Sequence, residues 1–465
     1  MSRRARILVL TAALAAPLAA DPAWVARYGG PDALSDQGAA LALTPEGDLV
    51  VVGTTVEELP GGLQSPRLLV LRYGPDGEEM WSRALESPIA SFGAVGGHAV
   101  AVSADGDVTV IGTVAPFQAV MVARLDPQGS TRWIETFADT EALNITAEDV
   151  AVDAAGNVYA TGDAYGGSGA EPALTLRYSP EGVAEAPIRY SGPGTTSSPF
   201  ANVVTPTGEL AVAGSTGYDG LAGEFSVVRF DANGQVAWEY STGGPGSATF
   251  DIARDVAAAG TDLVATGYVD GNTATNEDVW TVRLDAAGQV LWSQRYTTGP
   301  TGADVGSSIT ADGEDNVFVG GSAQIAPGDY DALILKYDAL GTLAWSRTYS
   351  GGALGFETAR AVAPDGDGGV WAAGSVEIDL GVSAYFVVHY DAAGTLVGEE
   401  LYPGPLGGGS KAFDLIVDGA GSVYVTGESP GLEGDDDAVT LKLSDTLFAD
   451  GFESGDVGRW SSATP

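Results

Sequence analysis

Short runs in which apolar and polar residues alternate follow one another along nearly the whole chain, separated by turns rich in Asp and Gly. After Gly306 the runs "SSITAD", "NVFVGGSA", "ALILKYD" and "LAWSRTY" read as four consecutive strands. Alternation with a period of two places one side of each strand against a core, and connections this short make the strands antiparallel neighbours. The decamer "DAAGNVYATG" (Asp153 to Gly162) joins a turn to such a strand and returns almost unchanged as "DGAGSVYVTG" (Asp418 to Gly427).

That pattern occurs eight times. Its last glycine stands at Gly53, Gly112, Gly162, Gly214, Gly267, Gly321, Gly374 and Gly427, with gaps of 59, 50, 52, 53, 54, 53 and 53 residues. A period near fifty belongs to propeller blades and other repeat arrays. A second turn follows the third strand of the units, as in "DPQG" (Asp126), "DANG" (Asp231), "DAAG" (Asp285) and "DALG" (Asp338). Asp opens such turns by accepting a main-chain N–H two residues on, and Gly closes them at positive φ, so the repeated aspartates read first as turn chemistry. Two further columns run through the units. Strand three carries Arg72, Arg124, Arg177, Arg229, Arg283, Lys336, His389 or Lys442, and strand four carries Trp24, Trp81, Trp133, Trp238, Trp292 or Trp345.

The eighth unit lacks its Trp-containing strand, and a segment of that kind stands at the other end as "AWVARYGGP" from Ala23 to Pro31. An N-terminal strand that completes the last unit closes a ring and removes two open sheet edges. The sequence therefore predicts an all-β fold, an eight-bladed β-propeller of four-stranded antiparallel blades over residues 21–446, with seven blades as the fallback if one unit is irregular. The "D-x-x-G-N-V-Y-x-T-G" core resembles the bacterial β-propeller repeat often labelled SBBP, found in secreted and surface proteins. That resemblance covers roughly Ala23 to Asp445 and implies a fold rather than an activity.

The ends and the charge set the address. Arg3, Arg4 and Arg6 precede the apolar run "ILVLTAALAAPLAA", and the small residues before Asp21 suit cleavage after Ala20, so residues 1–20 read as a secretory signal peptide and the protein as secreted or periplasmic. The nineteen residues "LFADGFESGDVGRWSSATP" from Leu447 to Pro465 break from the repeat and read as a tail. There are no cysteines, and 62 acidic against 21 basic side chains give a formal charge of −41. That excess excludes a nucleic-acid partner, which would need a basic stripe. No stretch after the leader is long and apolar enough for a transmembrane helix.

Strand reversal puts the uniformly tight turns at one end of the ring and the longer, variable loops at the other, and binding residues concentrate on variable loops of a rigid scaffold. The candidates on that acidic face are Tyr165, Tyr218, Tyr268, Asp270, Asp278 and Asp435. The Asp435 to Asp437 run offers oxygen ligands for Ca²⁺ but matches no EF-hand spacing, so calcium is an option and no cofactor is implied. Two histidines, His98 and His389, are too few for a His-based metal site, and no G-x-S-x-G elbow occurs. The expectation is a binding propeller for a protein or glycan ligand with no evident catalysis. The alternative is a carbohydrate-active or other hydrolase using carboxylates on the same face, because such pairs leave no spacing to recognise.

Overall fold

The computed structural model describes residues 18–19 and 22–443, apart from 31, 33, 90–94, 115–118, 140–143, 166–171, 193–195, 219–222, 244–250, 271–276, 300–301, 353–354 and 433. The expected leader, except residues 18–19, and the expected C-terminal tail lie outside these residues. Eight antiparallel sheets of four strands follow one another in chain order, each meandering from an inner first strand to an outer fourth. They span residues 37–85 (blade 1), 95–138 (blade 2), 144–190 (blade 3), 196–242 (blade 4), 252–296 (blade 5), 304–349 (blade 6) and 358–402 (blade 7), with 411–443 in blade 8. Each inner strand packs on the next, and that of blade 8 packs on that of blade 1, so the ring is closed. The molecule is an eight-bladed β-propeller.

Closure uses the segment the sequence singled out. Trp24–Tyr28 is the outer strand of blade 8, antiparallel to Asp436–Leu443, with Trp24 opposite Lys442 and Val25 opposite Leu441. Arg27 fixes it: its guanidinium donates to Asp437 Oδ2 at 2.8 Å, to the carbonyls of Ser429 and Pro430 at 2.9 Å, and to the Tyr402 hydroxyl of blade 7 at 2.8 Å. Leu18–Ala19 adds a two-residue parallel pairing to the outer strand of blade 7.

The tight turns behave as their residues dictate. In the opening decamer Asp153 Oδ1 accepts the N–H groups of Ala155 and Asn157 at 2.9 and 2.8 Å, and Asp418 repeats this at Ala420 and Ser422. In blade 5 the departing sequence "AGTD" makes a two-residue turn between the paired Ala259 and Asp262.

The two columns of basic and Trp residues turn out to be parts of one interblade joint. Each column Trp donates its indole N–H to a carbonyl in the second tight turn of the next blade, at 3.0 to 3.2 Å, as Trp81 does to Pro127 and Trp292 to Ala339. That turn's glycine lies on the indole face, Gly129 on Trp81 and Gly341 on Trp292, where a side chain would overlap the ring. The basic side chain of the same blade reaches across as well. Arg124 pairs with Asp107 at 3.0 Å and donates to the Gly156 carbonyl of blade 3 at 2.7 Å. His389 takes its place in this column against Asp365 at 2.8 Å. The tight-turn face is thereby stitched around its circumference.

Candidate functional site at the channel mouth

All eight inner strands carry a β-bulge at the same place, close to the end where they emerge from the long-loop face. The ladder skips one residue between Gly38 and Ala40, Gly97 and Ala99, Ala147 and Asp149, and Pro199 and Ala201 in blades 1 to 4. It does so again between Ala253 and Asp255, Gly306 and Ser308, Ala359 and Ala361, and Ala412 and Asp414 in blades 5 to 8. A bulge leaves its extra residue unpaired and re-aims its side chain. On the innermost strand of a ring that side chain turns to the axis.

The repeat glycine is the imprint of this bulge. Gly53, Gly162 and Gly267 pair with the residue just before the skip, and a Cβ on any of them would overlap the carbonyl oxygen of Gln37, Thr146 or Ile252. The same holds for the other five. The residue that reveals the period in the sequence is there because another residue, on the adjacent strand, is aimed into the channel.

Those aimed residues differ from blade to blade. Blades 1 to 3 supply Ala39, His98 and Glu148; blades 4 to 8 supply Phe200, Arg254, Ser307, Arg360 and Phe413. His98, Arg254 and Arg360 are exposed although the residue before each on the strand is buried, as side chains lining a channel must be. Arg254 lies over the rings of Phe200 at 5.9 Å and Tyr268 at 5.5 Å, and Arg360 over Phe413 at 5.3 Å. The surrounding ring of blades shields the channel lining from bulk water, which holds the His98 imidazole below its usual range and pushes the Glu148 carboxyl up.

Just beyond the bulge, blades 3, 5 and 8 place Asp149, Asp255 and Asp414. Each accepts the N–H of its own successor at 2.8 Å and an N–H of the following blade's inner strand: Asn202 at 2.8 Å, Ile309 at 2.7 Å and Leu41 at 2.9 Å. Enclosure by the blades raises these carboxyls to about 6, about 7 and about 6, and the charges of Asp149 and Asp414 add to the effect on Asp255. They are interblade staples that gather acidity along the channel.

The loop candidates are distributed rather than gathered. Tyr165 ends the second strand of blade 3 opposite Asn144, and Tyr218 that of blade 4 opposite Thr196. Tyr268 belongs to the mouth through Arg254. Asp278 is engaged by Arg295 at 2.5 Å, and Arg295 also holds the Asp270 carbonyl at 2.9 Å. This repeats in blade 5 the clamp that Arg27 makes on Asp437 and the Pro430 carbonyl in blade 8. Asp435 lies in blade 8, where its carbonyl accepts the Gly431 N–H at 2.5 Å. Among the described residues no three His, Asp or Glu converge on a point that could hold a metal ion. Away from the axis, the outer strand of blade 3 is only Ile188–Tyr190, and an open crevice of about 320 Å³ lies between blades 3 and 4, lined by Tyr190, Ser197 and Ser215 among others.

Sequence reasoning weighed His98 only as a metal ligand and set it aside; the bulge makes it part of the mouth. It missed Phe200, Arg254, Ser307, Arg360 and Phe413 altogether. The signal was present: each lies one residue beyond the partner of a repeat glycine.

No family model matches the chain, and no curated protein matches it. Solved structures resemble it at low identity. The β-propeller domain of the Trilobed protease from Pyrococcus furiosus is 9% identical, with 75% of this chain and 93% of that one covered and a TM-score of 0.41. An α-L-arabinanase of Penicillium chrysogenum complexed with arabinobiose is 9% identical over 92% of this chain and 98% of that one, with a TM-score of 0.43. Drosophila Plexin A in complex with Semaphorin 1b is 10% identical over 92% and 88%, also at 0.43. Likeness of this depth says nothing about activity.

Proposed function

We propose that the protein is a bacterial, secreted or periplasmic propeller of the SBBP repeat kind, exported through residues 1–20, that binds a protein or glycan without transforming it. The carrying observation is the contrast within one repeat. The residues of the tight-turn joints recur from blade to blade, while the bulge residues that the eight blades aim at the axis are of six different types. A scaffold that fixes eight positions and varies their side chains is suited to recognising a shape. The ligand then enters at the mouth on the long-loop face. A glycan and protein array, run with and without calcium beside a hydrolysis panel, tests this. Capture without turnover supports it, and turnover abolished by one carboxylate substitution overturns it.

One observation favours the hydrolytic alternative. His98 and Glu148 stand at the bulges of adjacent blades and so bring an imidazole and a carboxyl, the two groups that general acid–base chemistry uses most, to the same mouth. On that reading Glu148→Gln abolishes a turnover that the unchanged protein shows.

A further inference from the structure

Arg254 and Arg360 stand apart from the other described arginines. Those others each hold a carboxylate or a main-chain carbonyl, as Arg27, Arg83, Arg124 and Arg347 illustrate. These two instead rest on aromatic faces, Arg254 also interacting with the Tyr268 hydroxyl, and no carboxylate lies within ion-pair distance of either among the described residues. In a chain with 62 acidic side chains that isolation calls for a reason. The nearest acids act at a distance. Glu277 feels Arg254, and the charge of Glu428, itself held by Lys411 at 2.9 Å, reaches Arg360.

Their placement is symmetrical about blade 6. Arg254 comes from blade 5 and leans on Phe200 of blade 4; Arg360 comes from blade 7 and leans on Phe413 of blade 8. Between them blade 6 contributes only Ser307, far shorter than either arginine. The two positive charges are near enough to oppose each other. Cation–π contact holds a guanidinium without consuming its N–H donors. The result is a recess with a hydroxyl at its back, a guanidinium on each side and an aromatic ring beyond each guanidinium.

Resting on the reading that the mouth is the binding site, we propose that this recess takes an anionic saccharide, its carboxylate or sulfate received between Arg254 and Arg360 over Ser307, with Phe200 and Phe413 flanking the sugar. Planar guanidinium forks match either oxyanion and bind it by charge-assisted hydrogen bonds. The aromatic flanks offer apolar faces that a sugar ring can use and an acidic peptide cannot. The acidic exterior repels dense polyanions, which selects ligands whose charges are few and spaced.

Titration calorimetry at low salt tests this with trigalacturonate as the carboxylate arm, a sulfated galactose disaccharide as the sulfate arm, maltotriose as the neutral arm and hexa-aspartate as the peptide arm. Arg254→Gln, Arg360→Gln and Ser307→Trp are compared with the unchanged protein, their folding checked by thermal melting. One anionic sugar is expected to bind at least about tenfold more tightly than maltotriose, and each arginine variant to lose about tenfold or more of that affinity, with Ser307→Trp blocking it. Equal binding of maltotriose, or indifference to both arginine substitutions, overturns the anion site while the binding reading survives. Preference for hexa-aspartate overturns the saccharide and leaves a protein-binding mouth. No binding in any arm overturns the anion site, and an empty array beside it removes the binding reading too. Cleavage of the sugar removes the non-catalytic reading, and the anion site stands if both arginine variants abolish it.

Discussion

The two faces of this ring use the same residue types for opposite ends. On the tight-turn face Arg124 is only 2% exposed, pairs with Asp107 and caps a carbonyl of the next blade, so its charge is consumed by the fold. At the mouth Arg254 and Arg360 are exposed, meet no carboxylate among the described residues and lie on aromatic rings. One face repeats its chemistry in order to hold blades together. The other varies it, and the fold pays little for doing so.

The largest effect that can sharpen this contrast lies under the bulges. Gly267→Val drives a side chain into the Ile252 carbonyl, and a loss of more than about 4 kcal/mol is expected, read as loss of soluble protein or of near-UV dichroism. Next comes Arg124→Ala, which leaves the buried Asp107 only the half-exposed Arg132 and uncaps the Gly156 carbonyl, and should cost about 2–3 kcal/mol in denaturant unfolding.

A third effect is on pH. Asp149, Asp255 and Asp414 have folded values near 6, 7 and 6, above their unfolded range, so the folded state binds more protons than the unfolded one between about pH 4 and 7. Stability from these groups is greatest below that window and falls as pH rises through it. The melting temperature should therefore drop by several degrees from pH 5 to 8, with Glu357, also raised to about 7, acting in the same sense and His98, held low, opposing it. A melting temperature that rises with pH would show that the staples are ionised at little cost.

Smaller still is Gly47→Ala in the first tight turn, where φ is +88° but the space is open, at about 1–2 kcal/mol. Smallest are Arg254→Ala and Arg360→Ala, each within about 0.5 kcal/mol of the unchanged protein in unfolding. A mouth arginine that costs as much as Arg124 would break the contrast between the faces.

What could be read in the sequence followed from periodicity. Trp24, the eight glycines and the basic column recur at fixed spacing, and recurrence exposes both the blade and its missing strand. The joint between Trp81 and Gly129 was not readable, since columns show what repeats and not which column touches which. Arg254 and Arg360 were hidden for a deeper reason: comparing units by their likeness discards the position at which they disagree. Asp278 looked available because acidic loops are conspicuous, and only the folded chain reveals the Arg295 clamp that takes its carboxylate and the Asp270 main-chain carbonyl.

The indole joints all run one way, each from a blade's outer-strand Trp forward to a turn of the blade that follows. Blades 1, 2, 5 and 6 thus own a hook and an eye cut to the same pattern. A duplicate of such a blade, spliced beside its parent, would meet a fitting counterpart on either flank. The architecture can accordingly gain or shed whole cassettes through gene duplication without redesigning a seam, and every cassette brings one fresh position to the axis.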